Sequence, residues 1–319
     1  MIPKTEIYFA TRKTASAHVY ITKGVGKVRI NNVPVEMIPQ ETAREVILAN
    51  EYSYFILLMA LTAIPVGFIA GLFGIGGGLV MVPFLFYVFE SLNIDTNYIM
   101  HLAVGTSFGI IIPTSFVSVM THYKLGAVDT NLVKTYGIFT VIGVSLGTIF
   151  AVYLDTKNMV LFFSLVLFLL SLYLLFLKEK ETIITISIKQ KYKIIFGLIS
   201  GFISAPMGIG GAVMNVPIFK FFGYSINRAI GTAAAIGFFI ALFGAIGFVI
   251  SGTYLKTNLP LSVGFLNIPT FLIFIPITTF MARIGARTVH KIDKQKISKY
   301  FGLLLFVVAC KFLYEYFTI

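Results

Sequence analysis

Charge is scarce in this chain. Charged side chains are 12% of its 319 residues, about half the share of a soluble domain. Apolar residues reach 57%, against about 45–50% in soluble proteins. That balance excludes an ordinary soluble globular protein, because so much apolar surface needs lipid to face. The mean hydropathy of +0.91 agrees. With one cysteine, Cys310, no intrachain disulfide can form; it sits in an apolar run and reads as a small buried residue. The first 50 residues hold no apolar stretch of the kind a cleavable signal peptide needs. No ionisable residue lies clearly in the middle of an apolar run. His101, Asp129 and Arg228 fall near run ends and read as interfacial, although His101 or Arg228 could guide an anion. The missing deep carboxylate argues against a simple proton relay. There is no metal-ligand spacing, no GxxxxGK loop and no nucleophile–base set, so the reading is not an enzyme and needs no cofactor.

What is present is basic and periodic. The formal net charge is +12. Most of it lies between apolar runs, where lysine and arginine mark cytoplasmic loops. Residues 1–50 are polar. Stretches 17–21 and 27–30, with Gly24 and Gly26 between them, predict a β-hairpin, and 40–50 a short helix. From Tyr52 onward seven long apolar runs follow, at 52–73, 98–120, 132–154, 159–177, 229–250, 259–281 and 300–317. Each approaches the roughly 20 residues of a membrane-spanning helix. Runs 79–89, 194–205 and 212–222 are too short to cross straight.

The sequence repeats. Gly74-Ile-Gly-Gly-Gly78 leading to Val82-Pro83 has a counterpart in Gly208-Ile-Gly-Gly211 leading to Val216-Pro217. Ala103-Val-Gly-Thr106 matches Ala229-Ile-Gly-Thr232; Gly126 then matches Gly252, Gly147 matches Gly285, and Asp155 matches Asp293. The expectation is an all-α polytopic membrane protein made of two homologous halves of about five apolar segments, 53–178 and 194–318. A basic linker, 179–193, joins them, and a small α+β extension, 1–50, precedes them. Equivalent loops of opposite charge suggest halves of opposite orientation. The lysine-rich stretches 178–193 and 283–299 then both face the cytoplasm. Ten full crossings would put both termini outside; one re-entrant segment would return the N-terminus inside.

Inverted repeats with glycine-broken segments at matching places suggest a transporter, its site near the midplane. Irregular backbone at membrane depth survives only inside protein or along a cavity. A helix that starts there offers free N–H donors and a partial positive charge. Candidate substrate-binding residues are therefore Gly74, Gly76, Gly77, Gly78, Gly208, Gly210 and Gly211. Thr106, Ser107 and Thr232 could add hydroxyl donors, and Asn215 an amide. The competing reading is close helix packing through small residues.

Gly71-Leu-Phe-Gly-Ile-Gly-Gly-Gly78, Gly105-Thr-Ser107, Gly126-Ala-Val-Asp129, Gly208-Ile-Gly-Gly211 and Gly285-Ala-Arg287 together resemble the sulfite exporter TauE/SafE family over about 53–318. The resemblance implies a secondary transporter in the cytoplasmic membrane for a small anion: sulfite, a sulfonate or a related organic acid. It leaves open the direction, a coupling ion (proton or sodium) and a homo-oligomer. Ala212 stands where the family often has a third glycine. Thr11-Arg-Lys-Thr-Ala-Ser-Ala-His-Val-Tyr20 and Gly26-Lys-Val-Arg-Ile-Asn-Asn-Val-Pro34 are similar to the start of the ninth protein of the small ribosomal subunit, an RNA-binding family. The alternative function is thus a membrane-anchored RNA- or ribosome-binding module, with Arg12, Lys13, Lys27 and Arg29 on phosphate.

Overall fold

The computed structural model describes residues 6–12, 15–21, 29–30, 33–34, 56–71, 77–92, 94–176, 188–257, 259–288 and 294–318. Among them the helices are α1 (Ile56–Gly71), α2 (Gly78–Ser91), α3 (Ile99–Lys124), α4 (Thr130–Tyr153), α5 (Thr156–Phe176), α6 (Gln190–Met207), α7 (Ala212–Phe221), α8 (Ile226–Tyr254), α9 (Ile268–Thr288) and α10 (Lys294–Thr318). Six of these, α3, α4, α5, α8, α9 and α10, are long and apolar enough to cross a bilayer, while α1, α2 and α7 are shorter apolar helices. The chain is a mostly helical, multi-pass membrane protein.

Near residues 1–50, β1 (Glu6–Arg12), β2 (Ala15–Ile21), β3 (Arg29–Ile30) and β4 (Val33–Pro34) form one antiparallel sheet in sequence order. The expected pairing of 17–21 with 27–30 appears as Val19↔Ile30 and Tyr20↔Arg29. Strand β1 went unread because Ile7-Tyr8-Phe9 breaks the alternation a strand usually shows. The helix expected at 40–50 lies outside the described residues.

Two apolar runs resolve differently from their sequence reading. Run 259–281 is not one span. Its first part folds into a hairpin, β5 (Ser262–Val263) and β6 (Leu266–Asn267), turned by Gly264 at φ +57°, before α9 begins. Run 194–205 belongs to an 18-residue α6 that recruits the polar turn from Gln190. The pairing of Gly126 with Gly252 also fails. Gly126 (φ +65°) and Gly264 (φ +57°) each stand three residues before the residue that opens the next helix, Asp129 for α4 and Asn267 for α9. Gly252 instead lies inside α8, packed on the Gly264 backbone.

Contacts fix the helix directions. α4, α6 and α8 run parallel: Gly143 lies on Leu198 and Gly147 on Phe202, while Asp129 meets Thr232 and Thr148 meets Gly247. α3 opposes them, with Phe108 on Phe248 and Phe116 on Phe238. α9 and α1 follow α3, because Asn267 meets Thr106, Phe271 meets Gly109, Gly67 meets Thr278 and Gly71 meets Ala282. α10 runs against α5, pairing Phe163 with Phe312 and Leu174 with Gly302. The end of α5, the start of α6, the end of α9 and the start of α10 therefore share one side. These four ends flank both lysine-rich stretches. α1 begins, and α10 ends, on the other side.

Lipid supplies no hydrophobic drive for helix association, so close backbone approach carries much of the packing. Glycines provide it. A Cβ on Gly197 would lie 2.9 Å from Phe139 Cβ, and one on Gly201 2.8 Å from the Val144 nitrogen.

Candidate substrate-binding site

The two glycine motifs become helix breaks deep in the bundle. Gly77 caps α2 at φ +82° and Gly211 caps α7 at φ +68°. In that left-handed region a Cβ costs roughly 1–2 kcal/mol. Gly208 ends α6 at φ +62°. Gly77, Gly78, Gly208, Gly210 and Gly211 are all buried, whereas Gly74 and Gly76 lie outside the described residues. The breaks touch each other. Gly78 backs onto the Gly208 carbonyl, and Ile209 Cα lies 2.9 Å from where a Gly78 Cβ would stand. Gly210 and Gly211 abut Gly237 and Ile240, near the middle of α8. The start of α2 thus meets the end of α6 that leads into α7, and the start of α7 meets the middle of α8. Two clefts open to solvent lie at one end, one lined by Leu92, Asp95, Tyr98, Lys256 and Pro260 and the other by Leu261, Val263 and Pro269.

The hydroxyl candidates have firm structural partners. Ser107 donates to the Gly208 carbonyl at 2.8 Å, tying α3 to the second glycine break. Thr106 accepts the Asn267 backbone N–H at 2.9 Å. Thr232 accepts the Asp129 backbone N–H at the same 2.9 Å. The two contacts match in detail. Asn267 caps α9 by accepting Thr270 N–H, as Asp129 caps α4 by accepting Leu132 N–H. The glycine before each threonine also faces the matching carbonyl: Gly105 that of Phe265, and Gly231 that of Ala127, 2.5 Å from a built Cβ.

Asn215 is a polar residue buried beside the second break. It is 0% exposed, and its Oδ1 accepts from Tyr136 Oη at 2.7 Å. Tyr136 also lies 3.2 Å from Ser200 Oγ. Asn215 Nδ2 has no partner. Asn267, by contrast, has its amide engaged with Pro260 O and Ser262. Sequence reading missed Tyr136 and Ser200. A tyrosine in an apolar run passes for an apolar residue until its hydroxyl is seen to meet a side chain from another helix.

Of the other residues singled out, Cys310 is exposed on α10 rather than buried, while the ionisable ones have partners. His101 is 1% exposed, with Nε2 3.1 Å from Ala151 O; it is a buried residue of the first turn of α3 rather than an interfacial one. Asp129 accepts from Tyr224 Oη at 3.2 Å and lies 3.5 Å from Arg228. Burial, then the Asp129 charge, pushes the Tyr224 hydroxyl up to about 12, so it stays a donor. No cluster of metal-ligating side chains occurs among the described residues.

Comparison with known proteins meets this architecture. Residues 59–312 match the family described as Sulfite exporter TauE/SafE. The chain belongs to that family. Among TauE/SafE relatives, a probable membrane transporter protein of Haemophilus influenzae is 33% identical over 256 residues, 80% of this chain and 97% of the relative. Another, from Methanocaldococcus jannaschii, is 26% identical over 79% of this chain and 93% of its own length. A third, from Bacillus subtilis, is 25% identical over 82% and 98%. This TauE/SafE chain is therefore a membrane transporter protein by family. Its residues 10–51 match Ribosomal protein S9/S16. They are 54% identical to the small ribosomal subunit protein uS9 of Saccharolobus solfataricus over 41 residues, 30% of that protein. No solved structure matches the chain.

Proposed function

We propose that this protein is a secondary transporter of a small anion, with sulfite, a sulfonate or a related organic acid as the substrate class. We read 53–178 and 194–318 as inverted repeats of one unit. The matched latches support this: Thr106 on Asn267 and Thr232 on Asp129, each with its preceding glycine against the carbonyl two residues before the cap. So does the opposition of α3 to α8 and of α5 to α10.

One observation carries the transport reading. Two helix starts, capped by left-handed Gly77 and Gly211, are each buried inside the bundle, and the first backs onto the end of α6 that leads into the second. Helix starts are ready anion sites, through free N–H donors and the helix dipole. Gly77, Gly78, Gly208, Gly210 and Gly211 would form the site with Asn215, while Ser107, Thr106 and Thr232 hold the breaks and helices in place. In the arrangement described, the site is closed. Transport would open it alternately to each side, one half rocking against the other.

The test is flux into proteoliposomes, using labelled sulfite, methanesulfonate and carboxylates, normalised to folded protein. Gly77→Ala and Gly211→Ala each add a Cβ where φ is positive. Loss of flux by tenfold or more with folding retained supports the site; flux kept near wild type in both removes it.

The ribosomal match favours one second reading, an RNA-binding module on a membrane anchor. The observations weigh against it. The match spans under a third of the ribosomal proteins. Moreover, α1 begins on the side opposite the lysine-rich stretches, and positive charge marks the cytoplasmic face.

A further inference from the structure

The polar trio around Asn215 exists in one half only. Aligning the glycine motifs puts Met81 at the place of Asn215 and Val66 at that of Ser200. Aligning the helix caps Asp129 and Asn267 puts Phe274 at the place of Tyr136. Thr140 and Thr278 fall into the same register, and each packs on the corresponding glycine, Gly201 or Gly67. Met81, Val66 and Phe274 are all 0% exposed. The fold therefore accepts apolar side chains at all three places. Asn215, Ser200 and Tyr136 are equally deep, at 0–1% exposed. Burying polar groups where apolar ones fit costs stability, so the packing does not account for them.

Their arrangement points at the second glycine break. A helical side chain leans toward the N-terminus of its helix. That of Asn215 brings Nδ2 within 3.3 Å of where a Cβ on Gly211 would stand. Tyr136 holds the amide by its oxygen, leaving the NH2 group unpartnered beside the first turn of α7. The first N–H groups of a helix have no partner within it. The result is a cluster of donors lacking an acceptor. Among the described residues, no lysine or arginine is buried.

We infer that the α7 break is the recognition end of the transporter, and that Asn215 Nδ2, positioned by Tyr136, binds a substrate oxygen together with the α7 backbone N–H groups. This rests on the anion-transport reading above. The donor set is neutral, and that selects charge. Moving an ion out of water costs energy that rises with the square of its charge, and only a paired charge recovers it. With no cation to pair the second charge, the site favours a monoanion over a dianion. The first break, with Met81 in place of the amide, contributes backbone alone.

The experiment measures uptake by the full chain in proteoliposomes, normalised to folded protein. Competition with methanesulfonate, formate and acetate (monoanions) is compared with competition by sulfate (a dianion). At least one monoanion should compete at least tenfold better than sulfate. Asn215→Met should weaken half-saturation about 10- to 100-fold, the scale of one hydrogen bond to a charged group. Asn215→Asp keeps the shape and the Tyr136 contact but presents negative charge, and should abolish uptake while the protein stays folded. Tyr136→Phe should weaken half-saturation less than Asn215→Met while keeping the preference for monoanions. Sulfate competing as well as every monoanion, or Asn215→Met and Asn215→Asp both within twofold of wild type, overturns the inference. If Gly211→Ala abolishes uptake in that second case, the glycine site stands and only the role of Asn215 fails. If Gly211→Ala and Gly77→Ala are also silent, the site itself is elsewhere.

Discussion

The hydroxyl of Thr232 on α8 accepts the backbone N–H of Asp129 at 2.9 Å, so a helix of the second half holds the cap of a helix of the first. Thr106 does the same for Asn267 in the reverse direction. These bonds act as latches between segments far apart in sequence.

Removing either latch should destabilise the protein by about 1–3 kcal/mol, the cost of leaving a buried donor unpaired. Thr106→Val is expected to cost more than Thr232→Val. The Asn267–Thr106 contact is buried, whereas the Asp129–Thr232 contact is only part-buried. Unfolding midpoints of the purified variants in detergent give the order, and the reverse order would refute the latch account.

Two glycines on α4 should behave oppositely. A Cβ on Gly137 meets nothing within 4 Å, while one on Gly143 runs into the backbone of Leu198 on α6. Gly137→Ala should stabilise the protein by up to about 1 kcal/mol through helix propensity. Gly143→Ala must push α6 away and should lower the thermal midpoint. Thermal unfolding of the pair compares them on one helix.

The lysine-rich stretches should share the cytoplasmic face. Helix directions bring their flanking ends to one side, and the positive-inside rule assigns that side. Single cysteines introduced at 180 and 291, in a Cys310→Ala background, should resist a membrane-impermeant thiol reagent in intact cells. A cysteine near the start of α1 should react. Labelling of either basic stretch from outside would overturn the assignment.

Deleting residues 1–50 should leave anion flux per folded molecule within about twofold, since the family match begins at residue 59. The same flux assay decides; loss of transport in a folded, inserted protein would give the extension a role.

Much of the helical frame was legible because lipid demands uninterrupted apolar surface, and such runs are written contiguously. The glycine breaks were equally plain, since GIGG inside an apolar run has few uses other than ending a helix. The β5–β6 hairpin was not legible. Leu261, Val263 and Phe265 are as apolar as the helix that follows, and only the backbone turn at Gly264 separates them. The threonines read as hydroxyl donors for an anion, but the backbone N–H groups they accept, 103 and 161 residues away, could not be read. Tyr136 stayed hidden because its hydroxyl acquires meaning only when Asn215, 79 residues on, is brought beside it.

The pairing of helices also dictates how the protein must be assembled. α1 finds its glycine-facing partner in α9, and α5 finds its own in α10. A ribosome delivers the chain from its N-terminus, so α1 and α5 enter the bilayer long before the surfaces they fit. Until synthesis reaches the last two helices, those faces rest against lipid or an insertion chaperone. Loss of the 25-residue α10 would strip α5 of its partner. Truncation near the C-terminus should therefore be cleared by membrane quality control as readily as truncation in the middle.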